Sequence, residues 1–100
     1  MQTEIIELMD QIEKDVEEET NFILNNQIKC ELFDLKKVVN ESFNLINDGS
    51  NIDWSDKRIV MHHYVSVCKF IKESGLRNLL FKKMDELLGL FNEYNKSIME

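Results

Sequence analysis

Residues 27–46 read QIKCELFDLKKVVNESFNLI, and their pattern decides the fold class. Ile28, Leu32, Leu35, Val39, Phe43 and Ile46 recur at steps of three and four. That spacing lays apolar side chains along one face of an α-helix; a half-buried strand would need strict alternation. Between them stand lysines, acids and asparagines, the solvent side of an amphipathic helix. Neither Pro nor Gly interrupts the run.

The same period extends in both directions. Upstream, Ile5, Met9, Ile12, Val16 and Ile23 form a stripe that predicts a first helix over Thr3 to Leu24, with Thr3 as its N-cap. Asn25 and Asn26 either turn the chain or lie inside one longer helix, since Asn tolerates left-handed backbone. Downstream, Asn47-Asp48-Gly49-Ser50-Asn51 is a loop dense in turn formers. A third helix follows with Ser55 as N-cap and Trp54 packing on Ile59 in a hydrophobic staple. Its core row is Val60, Tyr64, Val67 and Ile71, widened by Met61, Val65, Cys68 and Phe70, and Gly75 ends it. The fourth helix runs from Leu76 to Ile98 along Leu76, Leu80, Met84, Leu87, Phe91 and Tyr94. Leu79, Phe81, Leu88 and Leu90 spread its apolar arc to about 200°. Gly89 falls on the polar side of this helix. Four segments of matched length with short joins predict an all-α, antiparallel four-helix bundle, a single domain over residues 1–100. The competing arrangement is a pair of long kinked helices that complete a core by dimerising.

Charge is distributed unevenly. The first twenty residues hold eight acids and one base, and the other eighty hold eleven of each, so the whole net charge of −7 sits in the first helical segment. Such a rod repels nucleic acid and anionic membrane and attracts basic surfaces. The basic dyads Lys36-Lys37, Lys57-Arg58 and Lys82-Lys83 are scattered, which argues against direct nucleic-acid binding. No run of about 18 apolar residues is present to span a membrane. The start of the chain is acidic and lacks the basic-then-apolar order of a secretion signal. With two unclustered cysteines, the expectation is a cytoplasmic protein without a disulfide framework. The chain has no Ala and no Pro, and Lys exceeds Arg ten to two, which points to an AT-rich genome such as that of a low-GC bacterium, its phage or plasmid, or an AT-rich virus.

The chemistry of enzymes leaves few marks. His62 and His63 are neighbours and point about 100° apart on a helix, so they cannot chelate together. No His-Glu-x-x-His or Cys-x-x-Cys is present, and the expectation is no metal and no cofactor. Cys30 and Cys68 lie inside helical segments, and Cys68 reads as a small core hydrophobe. The three glycines are too dispersed to cradle a phosphate. One pattern runs the other way. Glu4-x-x-Glu7 is followed by Glu31-x-x-Asp34, two i, i+3 carboxylate pairs. This spacing resembles the carboxylate motif of the all-α nucleoside-triphosphate pyrophosphohydrolases. The resemblance implies Mg²⁺ held between two helices against a substrate's phosphates. It covers about thirty residues, and the chain departs from the family in lacking a helix before the first pair.

The leading expectation is therefore a non-enzymatic protein–protein interaction module, a small accessory regulator or inhibitor of phage, plasmid or viral type. It would dock a basic partner surface through Glu7, Asp10, Glu13, Glu17 and Glu18 of the acidic helix. Trp54 and the apolar strip of Phe81, Leu88 and Leu90 are the second candidate surface, toward a partner or a second copy in a homodimer. Bacteriocin immunity proteins are similar in size and helical class, which makes immunity one alternative, and the Mg²⁺-dependent pyrophosphohydrolase is the other.

Overall fold

The computed structural model describes residues 1–18, 22–49, 58–74 and 77–99, with side chains placed for 1–18, 26–49, 60–73 and 80–98. Four helices account for the described chain: α1 (Gln2–Glu17), α2 (Phe22–Asn47), α3 (Arg58–Ser74) and α4 (Arg77–Met99). α1 packs on α2 and α4, and α3 packs on the same two, so the helices form a closed four-membered ring. Neighbours are antiparallel. Gln2, at the start of α1, bonds both Asn47 at the end of α2 and Tyr94 near the end of α4. At the far end Asp15 of α1 meets Lys83 of α4. The result is an antiparallel four-helix bundle measuring 42 × 21 × 20 Å. Its accessible surface of 6297 Å² is near the ~5,900 Å² expected of a folded monomer of this mass. The core closes within one chain, which replaces the picture of two long helices completed by a second copy.

The stripes become the core. Ile5, Met9, Ile12 and Val16 of α1, joined by Leu8, are buried. They meet Ile28, Leu32, Leu35, Val39 and Phe43 of α2, Val60, Tyr64, Val67 and Ile71 of α3, and Leu80, Met84, Leu87, Phe91 and Tyr94 of α4. Burial of these residues at roughly 25 cal/mol per Å² is the main force that brings the helices together. Aromatic edges lock two layers: Phe43 on Tyr94 at 5.0 Å and Tyr64 on Phe91 at 6.4 Å between ring centroids. The Tyr64 hydroxyl, inside the core, donates to the Met84 carbonyl oxygen at 2.9 Å.

Three boundaries differ from the sequence reading: both ends of α1 and the start of α2. α1 stops at Glu17, seven residues short of Leu24, and α2 begins at Phe22, so Asn25 and Asn26 lie inside a helix. Acids at 17 and 18 repel the negative end of the helix dipole, and α1 ends among them. Asn costs a helix interior only a few tenths of a kcal/mol and is overridden by the packing of Ile28 and Leu32. Likewise α1 starts at Gln2, with Met1 as an N-cap that makes no side-chain bond, so Thr3 is helical and caps nothing. α2 ends as expected, in Gly49 at φ 89, a left-handed conformation whose N–H reaches the Ile46 carbonyl. The Ser55 cap, the Trp54 staple and Gly75 fall outside the described residues.

Candidate functional site

Helical geometry divides the acids of α1 into three rows. With Ile5, Met9, Ile12 and Val16 turned inward, Asp10, Glu13 and Glu17 face the α2 side, Asp15 faces α4, and Glu7 and Glu18 point outward. Each inward-flanking row meets lysine. Lys36 of α2 sits 2.6 Å from Asp10 and 2.8 Å from Glu13. Lys29 reaches Glu17 at 3.4 Å, and Lys83 of α4 reaches Asp15 at 2.5 Å. Burial by itself would lower the affinity of Lys36 for its proton, but hydrogen bonds to both carboxylates outweigh it and raise the pKa above the usual 10.5. Three lysines thus offset three of the seven net negative charges of the first segment, leaving four.

The acidic candidates separate accordingly. Glu7 and Glu18 are exposed, and neither has an ion-pair partner among the described residues. Asp10, Glu13 and Glu17 stay partly open to solvent, with 56%, 37% and 52% of their side chains accessible, while engaged to lysine. The fourth-helix strip is not an open surface. Phe81, Leu88 and Leu90 are half-buried and pack against the core, because a helix that touches two neighbours uses a wide arc. Trp54 lies outside the described residues.

Sequence reading missed Phe33. Its ring is 66% exposed on the outer side of α2, the most exposed large apolar side chain among the described residues. Shallow grooves flank it, one of about 590 Å³ lined by Glu13, Asn26, Lys29, Cys30, Phe33 and Asp34. The other, of about 470 Å³, shares Glu13 and Phe33 and runs toward Asn40 and Asn44. Phe33 falls between the core positions Leu32 and Leu35, so a helical wheel of residues 27–46 would have marked it as an aromatic on the polar side.

The two carboxylate pairs of the pyrophosphohydrolase spacing do not converge. The bonds Gln2–Asn47 and Asp10–Lys36 place Glu7 abreast of the turn around Asn40. Asp34 and Glu31 lie roughly 9 and 14 Å further along the bundle at 1.5 Å per residue, and Glu4 is further still. Glu31 and Asp34 instead meet His63 of α3: each offers a ligand-type atom, all within 4.8 Å of one another. His62 is exposed and takes no part in that cluster. Cys68 is half-buried, and burial pushes its thiol above the usual 9.0 despite an opposing hydrogen bond with Tyr64, which disfavours the nucleophilic thiolate. No described helix is long and apolar enough to cross a membrane. No protein-family model matches the chain, and no curated protein or solved structure matches it.

Proposed function

We propose that this protein is a non-catalytic interaction module that docks a basic surface of another protein on the outer side of α1 and the adjoining edge of α2. The observation that carries the reading is the outward pair of exposed carboxylates, Glu7 of α1 and Glu18 at its C-cap, which have no ion-pair partner among the described residues, in a segment that remains net negative after its lysine pairs are counted. Phe33, beside Glu13, supplies an apolar anchor next to that acidic edge. An exposed aromatic ringed by charge is the composition of a binding hot spot, with charge steering the encounter and the ring contributing after desolvation. The charge favours a basic partner over nucleic acid. A regulator or inhibitor that acts by covering its target fits a small helical body of this kind.

The test is capture of binding proteins from source-cell lysate by three forms of the chain. These are the wild type, the double variant Glu7→Lys with Glu18→Lys, and Phe33→Ser. Both variants change exposed side chains without described partners, so each keeps its fold and its thermal midpoint. The reading expects a basic protein retained by the wild type at low salt and released as the Debye length falls from ~10 Å to ~3 Å at 1 M. Retention should drop at least about tenfold in the charge variant, the 1.4 kcal/mol expected for losing a steering pair. A partner held equally by all three forms would show that this surface is only solvated.

A further inference from the structure

We propose that Glu31, Asp34 and His63 form a binding site for a first-row divalent cation, zinc by preference, between α2 and α3. The site stands independently of the docking surface on α1. Its donor set is two carboxylates one helical turn apart and an imidazole from the facing helix. A nitrogen ligand combined with two oxygens suits Zn²⁺ or a similar transition ion, whereas Mg²⁺ prefers oxygen and water alone.

Geometry favours the ion over a plain hydrogen bond. His63 Nδ1 lies 3.5 Å from Glu31 Oε2. That exceeds the 2.7–3.2 Å of a good N–H···O bond. It matches the ~3.4 Å edge of a tetrahedron whose centre is about 2.1 Å from each donor, as in a zinc site. Asp34 needs only a side-chain rotation to close the third edge, since its carboxylate lies within 4.8 Å of both. It has no hydrogen bond or ion pair of its own among the described residues that would resist the move. The electrostatics agree. The acids of α1 that face inward are each met by a lysine, but among the described residues neither Glu31 nor Asp34 has a lysine or arginine within ion-pair distance. Two carboxylates left with an imidazole between them are a local excess of negative charge that a divalent cation removes.

Three protein ligands leave a fourth position for water on the solvent side, where Asp34 is exposed. The ion would join the middle of α2 to α3, so loading should raise the thermal midpoint by mass action. The experiment is calorimetric titration of the full chain with Zn²⁺ in a non-chelating buffer, with thermal unfolding followed in parallel and Co²⁺ as a spectroscopic stand-in. One saturable site per chain is expected, with a rise in midpoint and visible Co²⁺ ligand-field bands. Asp34→Asn should weaken binding by at least about tenfold, and His63→Gln should do the same and remove the bands. Asp34 is exposed and has no hydrogen bond or ion pair among the described residues, so its variant folds even if the His63 variant does not. His62→Gln and Cys30→Ser should bind as the wild type does. Absence of a saturable site would overturn the assignment, as would binding untouched by Asp34→Asn. Binding abolished by Cys30→Ser would also overturn it, by showing simple thiol capture.

Discussion

Replacing Asp15 by Asn tests whether the charges of α1 are structural or free. Asp15 and Lys83 join α1 to α4 with 20% and 22% of their side chains exposed, the least exposed ion pair among the described residues. With about 3 Å between charge centres and an effective dielectric near 20, their attraction is about 5.5 kcal/mol. Partial desolvation of both ions and the ordering of a lysine, about 2 kcal/mol, oppose it. The surplus should lie between the ~0.5 kcal/mol of an exposed pair and the 3–5 kcal/mol lost on breaking a buried one, at about 1.5–2 kcal/mol. For a domain of this length the thermal midpoint of D15N should fall by roughly 6–12 °C. Lys83→Met should cost a similar amount, and the double variant should cost clearly less than the sum, with a coupling of at least about 1 kcal/mol. Glu7→Gln, on the outward row, should move the midpoint by no more than about 2 °C. The assay is thermal or urea unfolding followed by far-UV circular dichroism at low and at 1 M salt, where the D15N effect should persist better than that of any exposed pair. If D15N and E7Q behaved alike, the division of α1 into an inward paired set and an outward free set would be refuted.

Gly89 lies within α4, and a Cβ added there meets nothing within 4 Å, so Gly89→Ala should stabilise the protein by about 0.5–1 kcal/mol, read as a rise in urea midpoint with unchanged slope. Leu87 is fully buried, and Leu87→Ala should cost about 2–5 kcal/mol in chemical unfolding, the larger figure if the neighbouring helices cannot collapse into the cavity. Burial raises the Tyr64 phenol above its ordinary 10.0, with smaller contributions from Cys68 and Asp85. A raised folded-state pKa means that the unfolded chain loses its proton first. The stability from neutral Tyr64 is therefore complete below pH 10 and is lost as pH rises above it. The stability difference between wild type and Tyr64→Phe should be constant through neutral pH and should change only above about pH 10, followed by phenolate absorbance and circular dichroism together.

The apolar rows were legible in the linear sequence because burial in a helix obeys a local rule. Ile28, Leu32, Leu35, Val39 and Phe43, and likewise Leu80, Met84, Leu87, Phe91 and Tyr94, repeat at three and four whatever their neighbours are. Helix ends were less legible. The break after α1 depended on Glu17 and Glu18 opposing the dipole, a weak effect beside the turn-forming reputation of Asn25 and Asn26, which packing overrode.

By itself the sequence determined the class of fold, the composition of its core and the placing of seven net negative charges in the first segment. Tertiary structure decided which of those charges are spent. Lys36 lies 23 residues from Glu13, and Lys83 lies 68 residues from Asp15. His63, 32 residues from Glu31, completes a cluster that no local spacing displays. Periodicity fixes which side of a helix turns inward, but the partner met on its flanks depends on which helices become neighbours and in what register. The meaning of Glu7 against Asp15, or of Asp34 against any other surface acid, therefore exists only in the assembled bundle.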